Sequence, residues 1–316
     1  MALPSGALRA GHGPSLMPTI LITGGSGLVG RRLTRLLLQE GFAVRHLSRS
    51  VKPGAAVPTF AWDIAKSHVD PRALEGVDHI VHLSGAGIAD KPWTKERLRE
   101  LYSSRSGAAD VLRKAVEAAG HWPKTFISAS GINYYGAVTT DYIFTENDPP
   151  ATDTIGMLTK AWEDAADAWS PHCRVVKLRT SVVLAREGGA LPKLAAPARW
   201  GLAAPFGSGN QWMPWVHIED VARAYLHAAQ RTDMQGAYNI AAPEQVRNRD
   251  FMHKVAQVLH RPFFLPAVPR FLLRLALGEL STVVLEGARA SHARLAGSGF
   301  EFRHPQLGPA LKGLLQ

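Results

Sequence analysis

The run Thr19-Ile20-Leu21-Ile22-Thr23 is apolar without alternation. That pattern predicts a short strand buried on both faces, the kind found in parallel sheets. Glycines follow it, and then Leu28, Val29, Leu33, Leu36 and Leu37 recur at helical spacing until Gly41. Ala43-Val44-Arg45-His46-Leu47 predicts a second strand. Residues 19–48 therefore read as one β-α-β unit, of the usual ~30 residues.

The alternation continues. Thr59-Phe60-Ala61-Trp62 is a third-strand candidate, and His79-Ile80-Val81-His82-Leu83 is a strand that ends in small residues. A helix is predicted over Thr94 to Ala119, with a break near Ser103. Thr125 to Ala129 is the next strand, Met157 to Trp169 a helix, and Arg174 to Leu178 a strand. Strands alternating with helices predict an α/β fold, a Rossmann-type doubly wound parallel sheet covered on both faces. After Leu184 glycines and prolines become frequent and Trp200, Phe206, Trp212 and Trp215 cluster. Helical stretches return at 219–230, 249–260 and 269–277. The expected organisation is a disordered extension at 1–16 and a cofactor-binding domain at 17–184. A segment near 213–242 returns to that domain, and a smaller mixed C-terminal substrate lobe fills 185–316.

Composition narrows the class. The chain has 316 residues, 46% hydrophobic and 20% charged, which is ordinary for a soluble globular protein. Its formal net charge of +10 is the unusual number. A basic excess can serve nucleic acid, an anionic membrane or a phosphorylated small molecule. No nucleic-acid module is recognisable, and no window approaches a transmembrane span or a signal peptide. No nucleic-acid or membrane partner is therefore expected. The single cysteine, Cys173, rules out a disulfide framework or a cysteine zinc site and fits a reducing, cytoplasmic setting. It opens an apolar run and reads as a buried hydrophobe. No metal site is expected.

The phosphate client has a specific candidate site. Gly24-Gly25-Ser26-Gly27-Leu28-Val29-Gly30 follows a strand and opens a helix. Glycines there permit a tight turn and close backbone approach to a pyrophosphate, and the helix N-terminus offers free N–H groups. The end of the second strand selects the nucleotide, because a carboxylate there favours NAD. This chain has Ser48-Arg49, with Lys52 close behind and no carboxylate between Glu40 and Asp63. A hydroxyl and a guanidinium suit a 2′-phosphate, so NADP(H) is the expected cofactor. Asp63 could accept from the adenine amino group or cap a turn. Leu83-Ser84-Gly85 would let a cofactor ribose approach closely.

With these residues placed, the chain resembles the extended short-chain dehydrogenase/reductase superfamily. Within it, the chain is similar to the atypical NADP-binding epimerase family protein group, SDR family 39U. The matching stretches are ITGGSGLVG, HLSGAGI, SASGINYYG, KAWEDAA, LRTSVVLAREGGAL, FGSGNQWMPWVHIEDVA, YNIAAPE and GFEFRHPQLGPAL, spanning roughly residues 19 to 313. The resemblance implies that Glu100 and Arg105 meet the cofactor and that Thr180 to Val183 lie against its nicotinamide end. Val183 is thus a cofactor-binding candidate.

The superfamily uses a Ser or Thr with a Tyr-x-x-x-Lys pair on one helix face, where the lysine helps the phenol act as acid or base. Ser130 matches the serine. Lys160 lies on the expected helix, but Gly156 is four residues upstream. The register one residue earlier gives Ile155 and Thr159. Neither register supplies a tyrosine. Tyr134, Tyr135, Glu146 or His217 could substitute, and Ser130, Tyr134 and Lys160 are the catalytic candidates. Trp215 and His217, beside the aromatic lobe, are the substrate candidates.

Two functions compete. One is an oxidoreductase or epimerase acting on a small carbonyl, alcohol or nucleotide-sugar-like substrate. The other is a non-catalytic NADP(H)-binding regulator or scaffold. The apolar run from Pro266 to Leu285 suggests core packing or a partner surface, such as a homodimer. Residues 247–316 hold ten Lys/Arg against four Asp/Glu, which either favours an anionic substrate or forms a solvated face.

Overall fold

In the computed structural model, which describes residues 17–51 and 54–316, the first apolar run becomes strand β1 (Thr19–Thr23). The expected extension at 1–16 lies outside the described residues. β1 is central because it is apolar on both faces: Ile20 and Ile22 point into one core and Leu21 into another. Its parallel neighbours are β2 (Ala43–Ser48) and β5 (His79–His82). Beyond β2 come β3 (Thr59–Asp63) and the short antiparallel β4 (His68–Val69). Beyond β5 come β6 (Thr125–Gly131), β8 (Arg174–Thr180) and β11 (Gly236–Ile240), all parallel. The order β11-β8-β6-β5-β1-β2-β3-β4 reverses direction between β1 and β5. Their carboxyl ends form the crevice where doubly wound sheets bind ligands.

Helices cover both faces. α1 (Leu28–Gln39) and α6 (Ile218–Gln230) pack on one, burying Leu33, Leu37, Val221 and Tyr225 with Ile20 and Ile22. The other face carries α2 (Lys95–Tyr102), α3 (Ala108–Ala119) and α4 (Thr154–Asp167). There Leu112 and Trp169 bury Leu21, Ile80 and Phe126, with Trp169 stacked on Phe126 at 4.1 Å. The predicted break near Ser103 is a π-helical turn, Ser103–Gly107, joining α2 to α3. α4 starts three residues earlier than the apolar pattern suggests, because Asp153 caps it by accepting from the Gly156 amide at 2.8 Å.

Past Leu184 helices outnumber strands. α5 (Ala190–Arg199), α7 (Asn248–Val258) and α11 (Leu307–Leu315) enclose a third core of Leu191, Phe251, Met252 and Leu311. α8 (Arg270–Leu277), α9 (Ser281–Leu285) and α10 (Ala293–Gly297) lie outside that core, and α10 instead places Leu295 in the core shared by β1 and α6. Two short parallel pairs join this part to the preceding chain, β9 (Val182–Leu184) with β10 (Trp215–His217), and β7 (Ile143–Phe144) with β12 (Arg289–Ala290). Among the described residues no helix is long and apolar enough to cross a membrane, and no group of His, Cys, Asp or Glu could hold a metal ion. Burial pushes the Cys173 thiol up to about 11, which makes it inert at neutral pH.

Candidate functional site

The glycine loop turns sharply between β1 and α1. Gly24 adopts φ +73°, and its carbonyl accepts from the Gly27 amide at 2.9 Å. A Cβ on Gly30 would stand 2.4 Å from that carbonyl oxygen, so the first turn of α1 can close on the loop only without a side chain there. No side chain caps α1, and its first turn has no carboxylate. The amides of Gly25, Ser26, Leu28 and Val29, with Gly27's committed to the Gly24 carbonyl, thus form a cradle that fits a pyrophosphate. Ser26 is exposed on its rim. Leu28 reaches across to the segment after β9, where a Cβ on Gly188 would meet its Cδ1 at 3.5 Å. This brings the glycine loop close to the strand that carries Val183.

Ser48 ends β2, and Arg49 beyond it is exposed. Lys52 lies outside the described residues. Asp63, at the end of β3, accepts from the Lys66 amide at 3.2 Å.

A buried relay holds the loop after β5. His82 Nε2 lies 3.3 Å from the Arg105 carbonyl, and its Nδ1 lies 2.9 Å from Thr23 Oγ1. The carbonyl can only accept, so Nε2 carries the proton and Nδ1 accepts from the Thr23 hydroxyl. Thr23 Oγ1 then accepts from the Ser84 amide at 3.2 Å. Burial pushes the His82 pKa down to about 4, so the ring is neutral at pH 7.

Arg105 projects from the π-helical turn into the same loop. It is 4% exposed, donates to the carbonyls of Leu101 (3.1 Å) and Ala86 (2.8 Å), and lies over the Trp162 ring. A Cβ on Gly85 would come within 3.1 Å of its Cζ. Burial, and then Arg97, lower its pKa to about 10, which leaves it charged at neutral pH. No carboxylate among the described residues pairs with it, and its buried Nε has no partner. A buried cation without a counter-charge suits an anionic or polar ligand at the switch point. Glu100 accepts from Arg97 Nη1 at 2.6 Å. Arg97 first, with Lys91 and Arg49 adding to it, holds the Glu100 carboxyl below its usual range.

Among the described residues the catalytic candidates make no hydrogen bond to one another. Ser130 faces α4, and its hydroxyl donates to Glu163 Oε1 at 2.7 Å. Glu163 is itself gripped by Arg179 through Nε (2.7 Å) and Nη2 (2.9 Å). The Arg179 guanidinium lies 3.5 Å from the Tyr134 ring centroid, and its Nη1 donates to the Tyr135 hydroxyl at 2.9 Å. Burial pushes the Tyr135 phenol up to about 12, too high for acid–base work near pH 7. Lys160 stands on the outer side of α4 and pairs with Asp164 at 2.5 Å. The inner face of that helix instead presents Ile155, Thr159 and Glu163, all buried. The places a Tyr-x-x-x-Lys pair would fill thus hold an isoleucine and a threonine.

Both substrate candidates are engaged within the fold. Trp215 is fully buried in the third core, with its indole N–H donating to the Glu244 carbonyl at 2.9 Å. It reads as aromatic lining in the sequence because nothing local marks it as core. His217 caps α6, its Nδ1 accepting from the Glu219 amide at 3.1 Å, and it stacks on His304 at 3.7 Å. Burial first, and then His304, push its pKa down to about 4.

The sequence reading missed Thr23, His82, Arg97, Glu163 and Arg179. A histidine closing an apolar strand and an arginine inside β8 were the available signals; for Arg97 there was none.

A cavity of about 170 Å³ opens where β6 ends and β9 begins, between the sheet and the C-terminal helices. Ile132, Ile155, Val182, Leu194, Gln211 and Trp212 contribute to its wall. No Lys, Arg or His lines it among the described residues. Cations of the C-terminal part are instead paired, Arg247 with Asp141 (2.8 Å), Lys254 with Glu244 (2.5 Å) and Arg270 with Glu286 (2.6 Å).

A parallel sheet with a glycine cradle at its switch point defines a dinucleotide-binding α/β protein. Residues 20–241 match the NAD dependent epimerase/dehydratase family, and 268–314 match a domain of unknown function (DUF1731). The chain belongs to the NAD dependent epimerase/dehydratase family. It is 32% identical to the mouse (Mus musculus) epimerase family protein SDR39U1 over 94% of this chain and 99% of that protein. The crystal structure of human epimerase family protein SDR39U1 with NADPH superposes with a TM-score of 0.84 at 31% identity, covering 94% of this chain and 98% of that one. The nucleoside-diphosphate sugar epimerase from Corynebacterium glutamicum superposes at 0.75 and 31% identity, covering 95% of this chain and 58% of that one.

Proposed function

We propose that this chain binds NADP(H) and acts as an oxidoreductase or epimerase on a small carbonyl, alcohol or nucleotide-sugar-like compound. The observation that carries the cofactor is the β2 terminus. It presents a hydroxyl and an exposed guanidinium, Ser48 and Arg49, beside the Gly24–Gly30 cradle, with no carboxylate in that place. The likeness to the human protein crystallised with NADPH supports it. Ser84, Gly85, Glu100, Arg105 and Val183 are the further cofactor contacts in this reading. The test is a fluorescence titration with NADPH and NADH. Wild type should prefer NADPH, and Arg49→Ala should lose most of that preference. Equal affinity of wild type for both dinucleotides sinks the assignment.

The second reading, a non-catalytic NADP(H)-binding regulator, is favoured by Ile155 and Thr159 standing where the proton-transfer pair belongs. Tyr134, Glu146 and His217 are the proton-donor candidates left in the first reading, since Ser130, Lys160 and Tyr135 are engaged elsewhere. Deuterium-labelled NADPH incubated with a panel of carbonyl compounds separates the two. Label transferred to product means an enzyme; tight binding without transfer means a regulator. The same proposal takes the protein to be cytoplasmic, a setting that a single inert cysteine suits. It also includes a homodimer, supported by Phe271 and Leu275 exposed on α8, which sedimentation would test.

A further inference from the structure

Arg31, near the start of α1, reaches back to the glycine loop. Its Nη1 donates to the Ser26 carbonyl at 2.6 Å. Ser26 and Arg31 are both exposed, so the guanidinium lies at the open rim of the cradle. A guanidinium carries several N–H donors in a planar fork, and one bond to a carbonyl leaves the others uncommitted. Among the described residues Arg31 pairs with no carboxylate, whereas its neighbour Arg32 donates from Nε to Glu219 at 2.7 Å. A cation at this end of α1 opposes the positive end of the helix dipole, an arrangement that an anion at the rim relieves.

That rim stands against the end of β2. Thr23 and Leu47 are register partners in the parallel pair β1 and β2, so Gly24 and Ser48 follow side by side. A Cβ on Gly25 would stand 2.5 Å from the ring of His46 on β2. The Ser48 hydroxyl accepts from the Ser50 amide at 3.3 Å and keeps its own proton to donate. Arg31 on the loop side, and Ser48 with Arg49 on the strand side, therefore flank the junction of the cradle with the β2 terminus. The charge there is one-sided. From Gly24 to Trp62 the chain carries six Lys and Arg and one carboxylate, Glu40, at the far end of α1. A phosphate monoester carries about two negative charges near neutral pH. Arg49 alone would leave it half neutralised.

We infer that Arg31 is a second determinant of NADP(H) specificity, a guanidinium that meets the 2′-phosphate from the glycine loop, opposite Arg49. This rests on the NADP(H) reading of the β2 terminus and adds to it a residue on another element. A latch that only steadied the loop would serve NADH and NADPH alike, whereas a phosphate partner serves NADPH alone.

Fluorescence titration of the full chain with NADPH and NADH, and calorimetric titration with 2′,5′-ADP and 5′-AMP, test the inference in wild type, Arg31→Met and Arg35→Met. Methionine keeps an apolar stem and removes the fork. Arg31→Met should bind NADPH and 2′,5′-ADP about tenfold more weakly, the low end for a hydrogen bond to a charged group, since the site is open to water. Its affinity for NADH and 5′-AMP should match wild type. Arg35 is also exposed, ~6 Å further along the axis of α1, and makes no hydrogen bond to the loop among the described residues. Arg35→Met should keep the wild-type preference. Equal weakening of NADPH and NADH in Arg31→Met would make Arg31 a latch and overturn the inference, as would a loss of preference just as large in Arg35→Met. A wild-type preference for NADPH that survives Arg31→Met overturns this inference and leaves the cofactor reading standing. Equal affinity of wild type for both dinucleotides overturns the cofactor reading, and this inference with it.

Discussion

Ser130 and Glu163 are joined by a 2.7 Å hydrogen bond on the buried side of β6, under α4. The bond commits the serine to the Glu163–Arg179 ion pair, in which both side chains are 3% exposed. Breaking a buried pair from one side costs about 3–5 kcal/mol, because the other charge is left unpaired. Glu163→Gln should lower stability by that order in urea unfolding. Ser130→Ala should cost about 1.5–3 kcal/mol, as expected for a bond to a charged acceptor. A serine acting on substrate would behave differently, with turnover lost and the urea midpoint unmoved.

The same pair adds an acid limit. Burial raises the Glu163 carboxyl and Arg179 outweighs it, so the folded value lies below the usual carboxylate range. A depressed carboxyl contributes stability fully present above its ordinary value near 4.5 and lost as pH falls through the folded one. The urea midpoint of Glu163→Gln should therefore approach that of wild type below about pH 4.

What was legible in the sequence follows from range. The β1–α1–β2 unit and the cradle depend on neighbours within thirty or so residues, and both were readable from apolar spacing and glycine positions. The partners of Ser130 lie thirty-three and forty-nine positions away, on α4 and β8, and no local pattern joins them. Trp215 illustrates the same gap. Its local sequence, rich in glycine and aromatic residues, looks like a binding surface, yet the core that buries it is built by α5, α7 and α11 from far along the chain. Lys160 faces outward from α4 while Thr159 faces inward, for a geometric reason. One residue of register on a helix is a rotation of about 100°, enough to exchange the inner face for the outer.

Gly30→Ala tests the cradle. Its new Cβ would sit 2.4 Å from Gly24 O and 2.7 Å from Gly25 Cα, and both neighbours are backbone. Overpacking of this kind costs about 1–3 kcal/mol and moves the loop. NADPH affinity, followed by fluorescence, should fall by at least about tenfold for each ~1.4 kcal/mol taken from binding. Unchanged affinity would mean that the loop does not carry the pyrophosphate.

Lys160→Met should change little. The ammonium is on the outside of α4 and its partner Asp164 is exposed. Exposed pairs are worth little because water screens them. NADPH affinity, thermal midpoint and any turnover should match wild type within error. A large drop in turnover at constant stability would return Lys160 to the active site.

His82 should make stability fall as the solution is acidified. Its folded pKa is about 4, against an ordinary value of 6.5, and burial is the cause. Between these values the unfolded chain takes up a proton that the folded chain refuses. Proton uptake by the unfolded state lowers stability as pH falls, so the loss begins near 6.5 and is complete by about 4. At pH 5 the expected loss from this one ring is about 2 kcal/mol relative to pH 7.5. His217, depressed to about 4 mainly by burial, pulls in the same direction, so a substitution at His82 removes only part of the slope. Urea unfolding of wild type and His82→Gln at pH 7.5 and 5.0 gives the comparison. The wild type should lose about 2 kcal/mol more than the variant over that interval. Equal losses would mean that His82 is protonated in the folded protein. Thr23 could not then donate to its Nδ1, and the relay from Ser84 to Arg105 would need another arrangement.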